Sequence, residues 1–371
     1  MLASHNIMKH FFAKIIFLVV FVLSIDTLAK AQNFSKIDSW LQNHADAMGG
    51  RVYLILYKDG KIVYNRGVSK LSAKHKMIGR ILAKRQAKTP DVSDYTAVTK
   101  QQIASCSKWL SAALVMTFVD EGKLNLNDTV GSYLPTLSKS GKGNITISEC
   151  LSHMTAIKSP DLKESLSAMR QANTMDDAIN MIADMPLEGA HGKVFRYSNT
   201  GLQIAGAVIE KISGKSFETL FAQRIAKPLN MKNTDFGNDK VALPAGGASS
   251  TPNDYMNFLT MILNKGMFNG KRILSENSVK QMQVNRINSG VKIAYSPTEA
   301  GNFGYGYGEW VMDDSVAKSG NSVTSPGLFG SYPWVDNQTK TAGFLMAFYL
   351  NNKGRHQYYI ELKNLVDEVL K

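Results

Sequence analysis

A serine hydroxyl becomes a nucleophile only when a neighbouring group takes its proton, and a lysine can do so only when its own pKa is lowered. Ser105 and Lys108 stand three apart in Ile103-Ala104-Ser105-Cys106-Ser107-Lys108, which opens the apolar run Trp109 to Val119. At a helix start this spacing puts both side chains on one face, about a turn apart. The run that follows predicts burial, and burial is what depresses a lysine. Such a pair can attack a carbonyl and carry an acyl group. The same letters also fit a helix capped by its serine, so the pair needs further parts.

Acyl transfer calls for a second proton carrier, a group that orients substrate, and N–H donors aimed at the developing oxyanion. Phe195-Arg196-Tyr197-Ser198-Asn199-Thr200-Gly201 offers a phenol and a carboxamide on one side of an extended or turn segment. Its structural reading is a turn in which Asn199 caps the helix that follows. Ser325-Pro326-Gly327-Leu328-Phe329-Gly330-Ser331-Tyr332 stands at the start of an expected strand, where backbone N–H groups are available and Gly327 permits close approach. That stretch also reads as an ordinary strand with aromatic packing. No H-E-x-x-H, G-x-S-x-G or P-loop occurs, and the histidines lack metal-ligand spacing, with His153 reading as a hydrogen-bonded core or boundary residue.

The elements that must position these residues follow from periodicity. Ile37, Trp40, Leu41, Ala45 and Met48 recur at helical spacing up to Gly49-Gly50. Two β-rich runs, 51–58 and 61–64, flank Asp59-Gly60, a hairpin signal. The run 109–119 is apolar nearly all round, so its helix should be wrapped on every side. Residues from about 124 to 236 read as short helices and loops without convincing strands, and helix returns at 252–264 and 275–283. Period two then marks strands at 303–312, 327–335 and 341–350, before a final helix at 358–370. The expectation is an α+β fold in which an antiparallel five-stranded sheet is flanked by helices and interrupted by an all-helical region. A single domain, 32–371, is expected, with sheet regions at about 32–104 and 240–371 and the helical region at about 105–239. The nucleophile helix lies at their junction, where clefts are common.

In this order the three segments resemble the penicillin-recognising serine hydrolases: class C β-lactamases, D-alanyl-D-alanine carboxypeptidases and related esterases. S-x-x-K stands at Ser105 to Lys108 and Y-x-N at Tyr197 to Asn199. The stretch on to Pro228 and Met231, Gly247 to Pro252, and Gly304-Tyr305-Gly306-Tyr307-Gly308 extend the likeness over most of the chain. The resemblance implies a β-lactamase/transpeptidase-like fold and a serine hydrolase working through an acyl-enzyme. Ser105, Lys108 and Tyr197 would be catalytic, and Asn199, Ser325, Gly327 and Leu328 would meet substrate. The N–H groups of Ser105 and Leu328 would form the oxyanion hole. No metal or other cofactor is implied.

One motif departs from the family. Its third motif places Lys or His, a variable residue and Gly on the strand beside the serine, and here the aligned triplet is Ser325-Pro326-Gly327. Lys318-Ser319-Gly320 fits the lettering better but lies too far before Phe329-Gly330-Ser331-Tyr332, so the register favours Ser325. With serine there, the cation that would grip a substrate carboxylate is missing. The reading is then an ester or neutral amide as substrate, small or peptide-like, rather than a β-lactam or a D,D-peptide. A non-hydrolytic binding protein for wall material or acyl groups on the same fold is the alternative of another class.

Charge and targeting set the context. The chain carries 43 Lys and Arg against 30 Asp and Glu, a net +13, which favours anionic surfaces. The excess is densest in 69–90, where seven cations occur without one acid and Leu71, Ile78, Ile81 and Leu82 interleave, allowing a basic amphipathic helix. Residues 1–31 read as a secretory signal, with Lys9 and Lys14 before an apolar core and Ala29-Lys30-Ala31 as the cleavage site. Export across the inner membrane would leave a periplasmic or extracellular bacterial protein whose anionic partner is wall polymer or lipid, not nucleic acid. Cys106 and Cys150 read as buried small hydrophobes, with a bridge between them as the lesser alternative.

Overall fold

A computed structural model describes residues 33–85, 89–312 and 322–371. The expected signal sequence and Lys318-Ser319-Gly320 lie outside the described residues. The sheet has seven antiparallel strands: β1 (Arg51–Lys58), β2 (Lys61–Ser69), β3 (Gly304–Tyr305), β4 (Trp310–Val311), β5 (Ser322–Thr324), β6 (Tyr332–Asp336) and β7 (Thr341–Ala347). Their order is β2-β1-β7-β6-β5-β4-β3, so the first hairpin and the last strands pair directly across β1 and β7. Asp59 and Gly60 both take positive φ, 49° and 85°, as a tight hairpin turn requires.

Seven strands replace the expected five for two local reasons. The run 303–312 doubles back on itself, pairing Trp310 with Tyr305, because Gly308 at φ 75° turns the chain between two short strands. The expected strand 327–335 begins only at Tyr332, since residues up to Gly330 fold into a turn in which Gly330 N donates to Gly327 O at 2.9 Å. Ser322–Thr324 supplies the remaining strand. The helical region also holds one short strand, Val194–Arg196, paired in parallel with Lys292–Tyr295.

Six helices frame the site: α1 (Ser35–His44), α2 (Ala73–Arg85), α3 (Ser107–Asp120), α4 (Thr200–Ser213), α5 (Pro252–Leu263) and α6 (Arg355–Val369). Alternation along β1 decides which face each covers. Val52, Leu54 and Leu56 join Ile37, Leu41, Leu362 and Val366 of α1 and α6 in one core. Tyr53 and Ile55, with Phe344 and Met346 of β7, point to the opposite core, built around α3, α4 and α5. Every residue of α3 from Ser107 to Phe118 is buried, as its unbroken apolar run requires. The helix that carries the serine therefore sits in the centre of the protein, with its first turn at the sheet edge.

Candidate active site

Ser105 occupies a 3-10 turn, Ala104–Cys106, that leads into α3. Ala104 takes φ 46°, a left-handed conformation that is unfavourable by roughly 1–2 kcal/mol for a residue with a Cβ. The surroundings hold it there through each carbonyl of the turn. Ile103 O accepts from Cys106 N at 3.1 Å, and Ala104 O accepts from Ser107 Oγ at 2.5 Å. Tyr255 Oη donates to Cys106 O at 2.8 Å. Ser325 Oγ lies 3.2 Å from Ser105 O and 3.0 Å from Gly308 O and donates between them. The strained turn is over-determined, which presents the serine in one orientation.

Lys108 is 1% exposed, and its Nζ lies 3.2 Å from Ser105 Oγ, 3.2 Å from Asn199 Oδ1 and 2.8 Å from Ala245 O. Burial lowers its pKa to about 7. A neutral amine has two hydrogens and one lone pair. With the hydrogens donated to Ala245 O and Asn199 Oδ1, the lone pair is left for the Ser105 hydroxyl. The site thus selects both the charge state of the base and the direction in which it accepts.

Tyr197 is held between the tilted ring of Trp310, centroids 5.1 Å apart, and the edge-on ring of His153 at 4.8 Å, while its backbone N donates to Tyr295 O. Burial pushes its phenol well above the ordinary range, against a smaller lowering from the hydrogen bond with Ser105. The phenol is therefore protonated at rest, and of the two groups Lys108 is the one able to accept a proton. Asn199 precedes α4 but makes no side-chain cap; its amide serves Lys108 instead. His153 is a buried hydrogen-bonded residue, with Nε2 3.0 Å from Tyr305 Oη. Burial and the Lys108 charge hold it neutral.

The opposite wall is the turn after β5. Gly327 is indispensable to it, because a Cβ there would lie 2.3 Å from Ile103 O. Leu328 N, like Ser105 N, has no intramolecular acceptor among the described residues, and two such free donors facing one cavity can hold an oxyanion. The cavity, about 450 Å³, is lined by Ser105, Tyr197, Asn199, Gly327 and Leu328 together. Ser325 does not line it: its 1%-exposed hydroxyl is turned onto the main chain beneath the nucleophile. Cys106 is buried too, with Sγ 3.7 Å from Ser331 O, and both cysteines are free thiols.

Two wall residues, Arg355 and Arg196, and one backbone acceptor outside the cavity lining, Ala245, carry no local sequence signal. Arg355, 1% exposed at the first position of α6, donates from Nη1 to Leu328 O at 2.7 Å and from Nη2 to Tyr349 O at 3.0 Å, with Glu299 3.4 Å away. Arg196 is held by Glu188, with Nη2 to Oε2 at 2.7 Å, and that cation keeps the Glu188 carboxyl below its usual range. Ala245 serves Lys108 through a backbone oxygen, which no side-chain pattern reveals.

The family model described as Beta-lactamase matches residues 38–371. Protein flp of Staphylococcus aureus (strain MW2) is 26% identical over 186 residues, which are 49% of this chain and 34% of that protein. The chain spans about a third to about half of the length of the curated relatives it matches. Among solved structures, EstCE1, described as a hydrolase with promiscuous acyltransferase activity, has a TM-score of 0.71 at 17% identity, covering 91% of this chain and 99% of that one. A family VIII carboxylesterase has a TM-score of 0.69 at 16% identity, covering 91% and 97%. At those identities the likeness concerns the fold alone.

Proposed function

The chain belongs to the Beta-lactamase family, and from that premise we propose that it is a serine hydrolase that forms an acyl-enzyme on uncharged esters or amides. The observation that carries this reading is the Lys108 amine, 3.2 Å from Ser105 Oγ and lowered to about 7 by burial. Ser105 Oγ attacks the substrate carbonyl while its proton passes to Lys108 Nζ. The carbonyl electron pair moves onto oxygen, where the Ser105 and Leu328 N–H groups receive it. On collapse the bond to the leaving group breaks, Tyr197 protonates that group, and Lys108 returns a proton to Tyr197. Water then repeats the attack on the acyl-enzyme, with Lys108 and Tyr197 again moving the protons.

The state of the cations favours an uncharged substrate. Arg196 and Arg355 both line the cavity, and each faces a carboxylate, Glu188 and Glu299. Arg355 is further engaged by main-chain carbonyls. Ser325, where the family's third motif would carry a cation, supplies a hydroxyl spent on the main chain.

A fluorophosphonate probe tests the nucleophile. Wild type and Cys106→Ala should be labelled, and Ser105→Ala should not; a folded wild type that resists labelling would overturn the enzyme in favour of a binding protein. Short-chain p-nitrophenyl esters should turn over at least about a hundredfold faster than nitrocefin, whose carboxylate would lie in the cavity without a free cation, a cost of about 3 kcal/mol or more. Rapid nitrocefin hydrolysis would instead assign a β-lactamase, and release of D-alanine from a pentapeptide a carboxypeptidase.

A further inference from the structure

The helix α2 takes no part in the site. Its half-buried residues His75, Gly79 and Ala83 recur every four positions and form one stripe. A Cβ on Gly50 would lie 2.7 Å from His75 Nδ1, so this stripe rests closely on the chain just before β1. At 100° per residue, the pole opposite the stripe falls on Met77 and Ile81. These two are 56% and 47% exposed, with Ile78 beside them at 40%. Lys74 flanks the pair on one side and Arg80 and Lys84 on the other, all exposed. None of these three cations has a carboxylate partner among the described residues, and α2 has no acid in its first turn. Water is a poor environment for two adjacent large apolar side chains at the outermost line of a helix, and unpaired cations on both shoulders repel one another there.

We propose that α2 is a membrane-surface element that lays Met77 and Ile81 into the acyl boundary of an anionic bilayer while Lys74, Arg80 and Lys84 meet the lipid phosphates. Charge complementarity selects an anionic partner. The apolar pair selects lipid over a soluble polyanion, since a polymer of phosphates offers no place to bury side chains. The helix lies along the interface without spanning the bilayer: among the described residues no helix is long and apolar enough to cross a membrane. The stripe of His75, Gly79 and Ala83 stays with the protein, so binding requires no unfolding.

The test is co-sedimentation of residues 33–371, which contain every element described above, with sonicated vesicles. Binding should be strong on equimolar phosphatidylglycerol and phosphatidylcholine, at least about tenfold weaker on phosphatidylcholine alone, and should fall as salt is raised. Lys74→Glu/Arg80→Glu/Lys84→Glu should lose about a hundredfold or more in partition, each lost cation counting for roughly a factor of five. Met77→Ser/Ile81→Ser should lose about tenfold or more, from apolar burial alone. Far- and near-ultraviolet circular dichroism should be unchanged in both variants, which separates lost binding from lost fold. Absence of wild-type binding to the anionic vesicles would overturn the proposal. So would a serine double variant that binds as tightly as wild type, a result that assigns α2 to a polyanion such as polyglycerol phosphate.

Discussion

An ammonium and an amine differ by one proton, and at Lys108 that proton decides whether Ser105 can be activated. The ammonium has no lone pair to offer, so the reactive form is the neutral one. Burial brings that form within reach near pH 7. The acylation rate should therefore rise with pH, tenfold per unit on the acid side, and level off above about 7. Stopped-flow acylation by a p-nitrophenyl ester across pH 5–9 measures it. A profile flat through that range would remove Lys108 as the base. At this scale the sequence was informative about identity and silent about direction. Ser105, Lys108, Tyr197 and Asn199 converge as their motifs suggested, but the carboxamide of Asn199 is turned toward the lysine rather than held free. That choice depends on Ala245 O, a backbone atom contributed from 137 residues away.

The turn carrying Leu328 is seated against the turn carrying Ser105, and Gly327 is where they touch. Gly327→Ala should displace the Leu328 N–H from the oxyanion while leaving Lys108 in place. Loss of one such donor lowers kcat by about a hundredfold to a thousandfold. Steady-state kinetics should show that fall with fluorophosphonate labelling slowed but still confined to Ser105. An unchanged kcat would place the oxyanion elsewhere. The period-two pattern located the strands here but not their ends. Trp334 and Tyr332 continue a run that looks extended from Gly327, yet Gly330 at φ 100° breaks it, because the Tyr349 ring occupies the space its Cβ would need. A ring arriving from just beyond the end of β7 is tertiary information. Ser325 is the same kind of case: its position relative to the motif was legible, whereas its role as a brace under Ser105 O depends on Gly308 folding back beside it.

Across the whole molecule, the last helix joins the sheet to the site. Lys363 of α6 is fully buried, 2.9 Å from Asp336 Oδ2 at the end of β6 and 2.6 Å from Asp367 Oδ2 on its own helix. Lys363→Met removes the cation and leaves carboxylates without their partner, which should destabilise the fold by about 3–5 kcal/mol. Urea unfolding measures that loss, and a change below about 1 kcal/mol would mean that Asp336 and Asp367 find other partners. The hydrophobic faces of α6 and β1 were readable from spacing, since Val52, Leu54, Leu56, Leu362 and Val366 obey their periods. The charge inside that interface was not, because a lone lysine on a helix reads as solvated until a strand end is known to lie beneath it.

Two cations on α6 face different duties eight residues apart. Lys363 fastens the helix to the sheet, and Arg355 grips the carbonyl of Leu328, whose amide faces the cavity. The carbonyl and amide of one residue are separated only by its φ and ψ, so a pinned Leu328 carbonyl narrows the directions its amide can take, and the terminal helix acts as a tension member for the oxyanion turn. Release of its first turn alone would free the Leu328 carbonyl before the rest of the core is lost. Turnover should then vanish at lower urea than the bulk circular dichroism signal does, and hydrogen exchange in 355–369 should quicken over the same interval. On the proposed reading, the durability of turnover depends on how firmly the fifteen-residue helix α6 stays docked.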